Sequence, residues 1–279
     1  MAYEGYNCLK IRRDRGVAFV TIDHPPINLL DLALSEELGR ITTELEADDS
    51  VRVMVFDSAN PEFFIAHFDV NVLLQLPIEV PPKPTSLSLG QELRERFRKM
   101  PKVSIGKIEG RARGGGSEFL LSLDMRFGAL GRAILCQPEV AVGIIPGGGG
   151  TQRLPRLIGR ARALEVILGC DDITAEIAAQ YGYINRALPP DELTPFVEQL
   201  AYHIASFPPQ AVALAKASVN AAMELPLVEG LIEEGHNFML AAATEAAKKR
   251  MASFMKLGGQ TREVELALGD LWEKMAKAE

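Results

Sequence analysis

The sequence contains little cysteine and no long apolar run, and both shortages exclude classes of protein. Its three cysteines, Cys8, Cys136 and Cys170, are widely spaced and form no CxxC pair. That pattern argues against a disulfide framework or a cysteine-rich zinc site and predicts a reducing, cytoplasmic compartment. No uninterrupted apolar stretch approaches the roughly 20 residues that a membrane helix needs, so we expect no membrane partner. The first residues, MAYEGYNCLKIRRDRG, lack the apolar core of a secretory signal.

Several familiar active-site signatures are missing as well. The glycine run in GIIPGGGGTQ is not followed by the lysine of a phosphate-binding P-loop, and neither glycine cluster fits the GxGxxG pattern of dinucleotide sites. The segment GGSEF, 115–119, lacks the final glycine of a nucleophile elbow. HExxH is absent, and the four histidines show no metal-ligand spacing. We therefore predict neither a metal site nor a bound nucleotide cofactor.

The net charge of the chain is negative, which limits the classes of partner that we expect it to bind. The chain has 279 residues, is 47% hydrophobic and carries a formal net charge of −7. It is long enough for one large domain or two small ones with a sizeable core. An acidic chain has no general attraction to nucleic acid. The basic run Lys248-Lys249-Arg250 is the best support for an alternative RNA-binding or scaffolding role, but such a short run usually forms a solvated helix face.

The first part of the chain alternates strand and helix patterns. Segment 7–26 predicts a β-hairpin that turns at Asp14-Arg15-Gly16, and 51–58 predicts a buried strand. Between them, 34–49 predicts an amphipathic helix with one apolar stripe, formed by Leu34, Leu38, Ile41 and Leu45. Strand, helix and strand in succession predict an α/β layered domain.

Later segments give three further expectations. Residues 73–90 contain four prolines and predict an irregular surface loop. Segment 151–169 predicts one helix that ends at Gly169, with an apolar stripe formed by Leu157, Ala161, Leu164 and Leu168. From about residue 206 onward the pattern is helical, with no strand signal. We therefore expect an α/β core over 1–205 and a helical C-terminal region over 206–279.

The segment GRARGGGSEFLLSLD, 110–124, places three consecutive glycines before an acid and an apolar run. Ser117 is predicted to be the N-cap of a helix that starts there. Amide N–H groups at a helix N-terminus lack intrahelical acceptors, and glycine lets another group approach them closely. Such a loop can form an oxyanion hole for an acyl carbonyl that becomes an enolate. Glu118 lies near the same point.

A second acid, Glu139, follows a proline in the apolar segment CQPEVAVGIIPGGGG. The chain between Glu118 and Glu139 is long enough for a helix and a strand to bring the two back together. Two partly buried carboxylates would push their pKa values apart and supply one acid and one base. Other interpretations stay open at this point: a mobile glycine loop, a Glu118 that only complements the helix dipole, and a solvated Glu139.

These segments carry a resemblance to a known family. The blocks GRARGGGSEFLLSLDMRFGA and CQPEVAVGIIPGGGGTQRLPRLIGRARALEVILG, in this order, resemble the crotonase superfamily, also called the enoyl-CoA hydratase/isomerase superfamily. The resemblance spans most of residues 9–200. It implies a spiral of ββα units with a helical C-terminal region used in trimers, which often pair as hexamers. It also implies acyl-CoA thioester substrates, with coenzyme A as part of the substrate and no separate cofactor.

The resemblance implies a role for each site residue. The backbone N–H groups of Phe68 and Gly115 would hold the thioester oxygen, Glu118 would activate a water molecule, and Glu139 would give a proton to C2. Because both glutamates are present, the resemblance implies an enoyl-CoA hydratase, with a Δ3–Δ2 enoyl-CoA isomerase or another crotonase reaction as the alternative. Substrate binding is assigned to four further residues, Ala66, His67, Gly114 and Gly147.

Two residues depart from the family pattern. His67 stands where the family commonly has glycine, so its side chain either reshapes the acyl-CoA pocket or packs away from it. Arg113 stands where an apolar residue is common, and it either meets a phosphate or is solvated. No basic residue occurs in DVNVLL, 69–74, so the contacts to the CoA phosphates are not assigned.

Overall fold

The chain divides into two compact units, which join in sequence between Tyr202 and His203. The structure is a computed structural model that describes residues 3–79 and 82–277. The first unit combines strands and helices, whereas the described part of the second contains helices alone. The α/β class predicted from the sequence is therefore confirmed.

Ten strands in the described residues form two sheets. They are β1 (Leu9–Asp14), β2 (Val17–Ile22), β3 (Val53–Ser58), β4 (Phe63–Ile65), β5 (Val103–Ile108), β6 (Arg111–Arg113), β7 (Met125–Ala129), β8 (Ile134–Cys136), β9 (Ile173–Thr174) and β10 (Arg186–Leu188). The larger sheet has the order β1-β2-β3-β5-β7-β10, and the smaller sheet has the order β4-β6-β8-β9.

Thirteen α-helices complete the described residues, together with a 3₁₀ helix at Glu139–Val142. They are α1 (Leu32–Ala47), α2 (Val70–Leu73), α3 (Leu89–Lys99), α4 (Gly115–Ser122), α5 (Gly150–Ile158), α6 (Arg160–Gly169), α7 (Ala175–Tyr181), α8 (Pro190–Ala205), α9 (Pro209–Ala222), α10 (Leu227–Ala242), α11 (Glu245–Lys256), α12 (Arg262–Glu265) and α13 (Leu268–Lys277).

A ββα unit repeats along the first part of the chain. The strands β3, β5 and β7 enter the larger sheet, and the strand that follows each of them enters the smaller sheet before a helix begins. Within each sheet, β3, β5 and β7 run parallel, as do β4, β6 and β8. Parallel neighbours need crossover connections, and the helices supply them. The predicted spiral of ββα units is confirmed.

The predicted hairpin and first helix are present. Strands β1 and β2 pair antiparallel through a two-residue turn in which both Arg15 and Gly16 have positive φ. Two positive φ values give a turn whose twist matches that of a hairpin. The four apolar residues of the predicted α1 stripe are buried: Leu34, Leu38, Ile41 and Leu45.

An aromatic cluster holds α4 against the core. The ring of Phe119 lies 5.3 Å from that of Phe56 and 5.5 Å from that of Phe97, and both pairs meet edge to face. This geometry is the favourable one for aromatic rings. Because Phe119 follows Glu118 directly, the cluster also fixes the backbone that carries this acid.

The single helix predicted over 151–169 is wrong. Helices α5 and α6 are separated at Gly159, whose φ of +81° ends one helix and starts the next. A φ in this region favours glycine. Because the chain changes direction at Gly159, the predicted apolar stripe does not continue from α5 into α6. Leu157 and Leu168 are consequently exposed, and the buried apolar residues of the two helices are Leu154, Ile158, Ala163, Val166 and Ile167.

The second unit contains α9 to α13. Thr244 caps α11, because its side chain accepts a hydrogen bond from the backbone N–H of Ala247. Several large apolar side chains of α9 and α10 are exposed. None of the described helices combines the length and the apolar character that crossing a bilayer requires.

Candidate active site

The glycine triplet forms the first turn of α4 and the residue before it. Gly114 is the N-cap, with a φ of +48°, and the helix begins at Gly115. Ser117 is therefore not the N-cap that the sequence analysis predicts. It is buried one turn later, where its hydroxyl lies 2.5 Å from the Tyr183 hydroxyl. Glycine replaces a polar cap here because this positive φ strains other residues.

The triplet also allows close approach by the segment that follows β4. A Cβ on Gly115 would lie 3.1 Å from Leu30 Cδ2 and 3.2 Å from Phe68 Cβ. A Cβ on Gly116 would lie 2.6 Å from the carbonyl oxygen of Ile65. Larger residues at either position would push the two segments apart. The glycines are thus required by packing around a shared backbone corner.

Two backbone amides meet at this corner. Leu30 forms a parallel β-bridge with Phe68, in which Leu30 N–H donates to His67 O and Asp69 N–H donates to Leu30 O. That pairing turns the N–H of Phe68 away from the bridge. The N–H of Gly115 lies in the first turn of α4, where it has no intrahelical acceptor. The nitrogen of Phe68 lies 3.5 Å from the Cβ position of Gly115, so the two amides are neighbours.

The carboxylate of Glu118 is anchored by the glycine run at residues 147–150. The side chain is 4% exposed, and its Oε1 accepts hydrogen bonds from the N–H groups of Gly148 (2.7 Å) and Gly150 (2.9 Å). Gly149 has a φ of +118° and caps α5, so these amides belong to the N-terminal end of that helix. Amides at this end of a helix stabilise a negative charge. The arrangement therefore fixes the Glu118 carboxylate at the start of α5.

Glu139 has the opposite environment. It begins the 3₁₀ helix and is buried, and its Oε2 has no hydrogen-bond partner among the described residues. Burial raises the pKa of Glu139 to about 7, and the nearby Glu118 carboxylate adds to the rise, while the backbone N–H of Glu139 opposes it. Burial acts in this direction because it disfavours the charged form of a carboxyl group. Glu139 is thus suited to carry a proton near neutral pH.

Both acids adjoin Gly114. A Cβ on Gly114 would lie 2.9 Å from Glu139 Oε1, and the carbonyl oxygen of Gly114 accepts the backbone N–H of Glu118. The same Cβ would lie 3.7 Å from the Cβ of His67. The structure therefore brings the Glu139 carboxylate and His67 to the glycine loop that carries the amide of Gly115, and the Glu118 carboxylate lies near enough to raise the pKa of Glu139.

The remaining residues predicted for the site lie around this loop. His67 is half-buried, and its Nδ1 lies 2.9 Å from the carbonyl oxygen of Phe68. Ala66 is buried, and its N–H donates to Ile27 O. Gly147 is exposed, and its carbonyl oxygen accepts a hydrogen bond from Gln91 on α3.

Arg113 forms an ion pair that the sequence analysis does not predict. Its guanidinium forms two hydrogen bonds with the Asp172 carboxylate, at 2.8 and 2.5 Å. Asp172 lies far along the chain, between α6 and β9, so the sequence around Arg113 gave no sign of this ion pair. The pair ties the strand before the glycine loop to the segment after α6.

Sequence reasoning missed two features of the site. The first is the role of Gly148 and Gly150 as the anchor of Glu118, although four consecutive glycines before a helix were a visible signal for it. The second is Arg94 on α3. A Cβ on Gly148 would overlap Glu118 Oε2 and would lie 3.0 Å from Arg94 Cζ, so the carboxylate and the guanidinium adjoin the same glycine.

Comparisons with known proteins point to one family. A family model described as enoyl-CoA hydratase/isomerase matches residues 12–259. A short-chain-enoyl-CoA hydratase of Clostridium acetobutylicum is 32% identical over 251 residues, which cover 90% of this chain and 95% of that protein. A crotonyl-CoA hydratase of Syntrophomonas wolfei is 32% identical over 257 residues, which cover 92% and 96%.

Solved structures give the same result. The crystal structure of an enoyl-CoA hydratase from Bacillus anthracis has a TM-score of 0.82 and 30% sequence identity, covering 90% of this chain and 96% of that chain. The long match to the family model and the relatives above 30% identity place the chain within one family. The protein belongs to the enoyl-CoA hydratase/isomerase family.

Proposed function

We propose that this protein is an enoyl-CoA hydratase, which adds water across the C2–C3 double bond of a 2-enoyl-CoA thioester. The observation that carries the proposal is the pairing of two unlike carboxylates beside two adjacent backbone amides. Glu118 accepts two N–H groups, whereas Glu139 is buried with a raised pKa. Hydration needs one group that removes a proton from water and another that donates a proton to carbon.

The proposed reaction uses four groups of this chain. The N–H groups of Phe68 and Gly115 donate to the thioester oxygen, which becomes negative as the enolate forms. Glu118 takes a proton from water while the water oxygen bonds to C3. The electron pair of the double bond moves toward the thioester, and Glu139 then donates its proton to C2. Glu118 and Glu139 together carry one proton before the reaction and one proton after it.

The proposed reaction needs no cofactor apart from the coenzyme A of its substrate. Coenzyme A enters as part of the thioester, and no separate cofactor or metal is required by the proton transfers. Ala66, His67, Gly114 and Gly147 are proposed to contact the substrate, since the first three adjoin Phe68, Gly115 or Glu139 and Gly147 precedes the glycine whose amide holds Glu118. The acidic net charge of −7 gives no support to nucleic acid as a partner. We propose a cytoplasmic location from the low cysteine content.

The second unit is proposed to hold subunits together as a homotrimer or a dimer of trimers. Its helices α9 and α10 expose a set of large apolar side chains, Val219, Leu227, Val228, Leu231, Ile232, Phe238 and Met239. Clustered apolar surface of this kind marks protein–protein interfaces. Sedimentation equilibrium of the whole protein tests the proposal, and a monomer at micromolar concentration would contradict it.

The experiment for the reaction follows the conjugated thioester of crotonyl-CoA by its ultraviolet absorbance. Hydration removes this absorbance and yields a 3-hydroxyacyl-CoA that mass spectrometry identifies. E118Q and E139Q keep the size of each side chain and are each expected to lower kcat/KM by about 10²–10⁴-fold. A protein that leaves crotonyl-CoA unchanged but converts a 3-enoyl-CoA into its 2-enoyl isomer would instead be the alternative isomerase. In that event E118Q would spare activity that runs through Glu139.

A further inference from the structure

We propose that Arg94 binds a carboxylate carried by the acyl group, so that the site prefers short enoyl-CoA thioesters with an acidic acyl end. The proposal rests on the proposed hydratase function, because that function places the reacting carbons beside Glu118. The proposed hydration uses two carboxylates and two amides, and it assigns no role to Arg94.

The environment of Arg94 is unusual for a cation. Its Nη1 donates to the carbonyl oxygen of Gly90 on its own helix, at 2.9 Å. Its Nε is buried and has no partner within the described part of the chain. Arginine carries five N–H donors and stays charged at neutral pH, so such a site retains unused capacity for an anion. Arg94 is half-buried, and a partly buried cation with an unpartnered donor favours an anionic ligand.

No neighbouring acid forms a close ion pair with Arg94 in the part of the chain that the structure describes. Glu95, the next residue of α3, already accepts Arg98 through Oε2 (2.8 Å) and Arg153 through Oε1 (2.5 Å). Glu118 lies on the same side of Gly148 as Arg94, but its Oε1 is held by two backbone amides. Between residues 3 and 277, leaving out 80 and 81, no carboxylate oxygen forms an ion pair with Arg94 within 4.0 Å.

The charge balance around Arg94 favours a second carboxylate. Burial lowers the pKa of Arg94, and the positive charge of Arg153 acts in the same direction, whereas the charge of Glu118 opposes both. The Nε of Arg153 is likewise buried without a partner in the residues that the structure describes. A substrate carboxylate would therefore enter a place where the guanidinium of Arg94 offsets its repulsion by Glu118, whereas Arg153 is already paired with Glu95. A planar guanidinium can hold a carboxylate through two parallel hydrogen bonds.

Position decides which part of the substrate meets Arg94. Glu118 delivers water to C3 in the proposed reaction, so a group beside Glu118 lies near C3. That group must belong to the acyl chain, since the phosphates of coenzyme A lie beyond the thioester at the other end. The closeness of Arg94 to Glu118 also limits the spacer to a few carbons. Glutaconyl-CoA, with one carbon between the double bond and its carboxylate, has this form.

The test measures binding of two saturated thioesters that cannot be hydrated. Butyryl-CoA and glutaryl-CoA share coenzyme A, and glutaryl-CoA adds a terminal carboxylate. Isothermal titration calorimetry is expected to show that the wild-type protein binds glutaryl-CoA about 10–100-fold more tightly. Arg94→Gln is expected to abolish this preference while the affinity for butyryl-CoA changes less than about threefold. Arg94→Lys keeps the charge and is expected to retain part of the preference.

Arg96→Gln is the matched control. Arg96 lies on the same helix and pairs with Glu46 instead of adjoining Glu118, so this variant changes the net charge equally and should keep the preference. Equal binding of both thioesters by the wild-type protein overturns the proposal, whether or not any variant folds. A preference that survives in Arg94→Gln also overturns it. A retained preference without hydration of either crotonyl-CoA or glutaconyl-CoA would overturn the proposed function alone.

Discussion

Glu118 and Glu139 adjoin the same glycine, Gly114, but their carboxylates are stabilised in opposite ways. Glu118 accepts two backbone N–H groups at the start of a helix, and Glu139 is buried with an oxygen that has no partner in the described residues. The first environment holds the carboxylate of Glu118 by hydrogen bonds, and the second favours the protonated form of Glu139. This asymmetry supports the proposal that the two side chains serve as base and acid in one site.

The first prediction concerns the pH dependence of hydration. Burial raises the pKa of Glu139 to about 7, so the proton that hydration requires is lost as pH rises through this value. We expect kcat/KM for crotonyl-CoA to fall about tenfold for each pH unit above 7. Dehydration starts from the same number of protons on the pair, so its kcat/KM should fall in parallel. Initial rates in both directions between pH 6 and 9 check this.

A flat profile up to pH 9 would contradict the acid role of Glu139. Rates of hydration and dehydration that diverge with pH would contradict it as well. In that case the two reactions would not start from the same single proton on Glu118 and Glu139. Circular dichroism over the same pH range is the control for loss of structure.

The second prediction concerns stability. The pKa of Glu139 rises on folding from 4.5 to about 7, so the unfolded chain releases this proton first as pH increases. The contribution of Glu139 to the free energy of unfolding is therefore complete below pH 4.5, declines up to about pH 7 and is then lost. Glu139→Gln removes this decline. We expect the variant to exceed the wild type by about 2 kcal/mol at pH 8 and to approach it at pH 5.

Urea unfolding at the two pH values measures this difference. A gain from Glu139→Gln that is equal at both pH values would indicate a packing effect instead of a titration effect. Glu198→Gln, which alters a half-buried acid of α8 that pairs with Arg12, provides a control away from the site.

Much of the fold was predictable because its signals are local. The hairpin follows from a turn between two apolar runs, and the buried face of α1 follows from the spacing of Leu34, Leu38, Ile41 and Leu45. The break at Gly159 was not predictable in the same way. Apolar residues recur on both sides of it at helical spacing, and the change of direction depends on a backbone φ that sequence spacing does not reveal.

The site was predictable only in part, for a related reason. Glu118 and Glu139 stand out because each accompanies a glycine or proline motif. Arg94 does not stand out, since α3 also carries Arg96, Arg98 and Lys99. These four cations look alike in the sequence, and only the packing of α3 against the 147–150 glycine run determines which of them adjoins Glu118.

The third prediction is that Gly148→Ala disables Glu118. A Cβ at this position would overlap Glu118 Oε2 and would crowd Arg94 Cζ, and the φ of Gly148 lies outside the left-handed region. The penalty is therefore steric, and it falls on the carboxylate that is proposed to activate water. We expect kcat/KM for crotonyl-CoA to fall at least about 100-fold. Gly39→Ala is the control, because its Cβ would meet no atom within 4 Å. Equal activity of the two variants would contradict the prediction.

The fourth prediction is that Gly115→Ala weakens the proposed oxyanion hole. The added Cβ would lie 3.2 Å from Phe68 Cβ, so Phe68 must move by a few tenths of an ångström and take its amide with it. Because this amide acts on charge that develops during the reaction, we expect kcat to fall about 10- to 100-fold with a smaller change in KM. Gly230→Ala, in an open stretch of α10, is the control. A change confined to KM would contradict a role in stabilising the enolate.

The fifth prediction concerns Arg126, which supports the helix that carries Glu118. The side chain is buried, and it donates to the carbonyl oxygens of Leu120 (3.2 Å) and Leu123 (2.7 Å) at the end of α4 and to that of Tyr183 (3.0 Å). Leucine in its place leaves these buried carbonyl groups without donors, and each such group costs about 1–3 kcal/mol. We therefore expect Arg126→Leu to lower the free energy of unfolding by about 3 kcal/mol, measured by urea unfolding. Arg132→Leu is the control, because Arg132 is exposed, and it should change the free energy of unfolding by less than about 0.5 kcal/mol. Equal effects of the two substitutions would show that α4 is held by its aromatic packing alone.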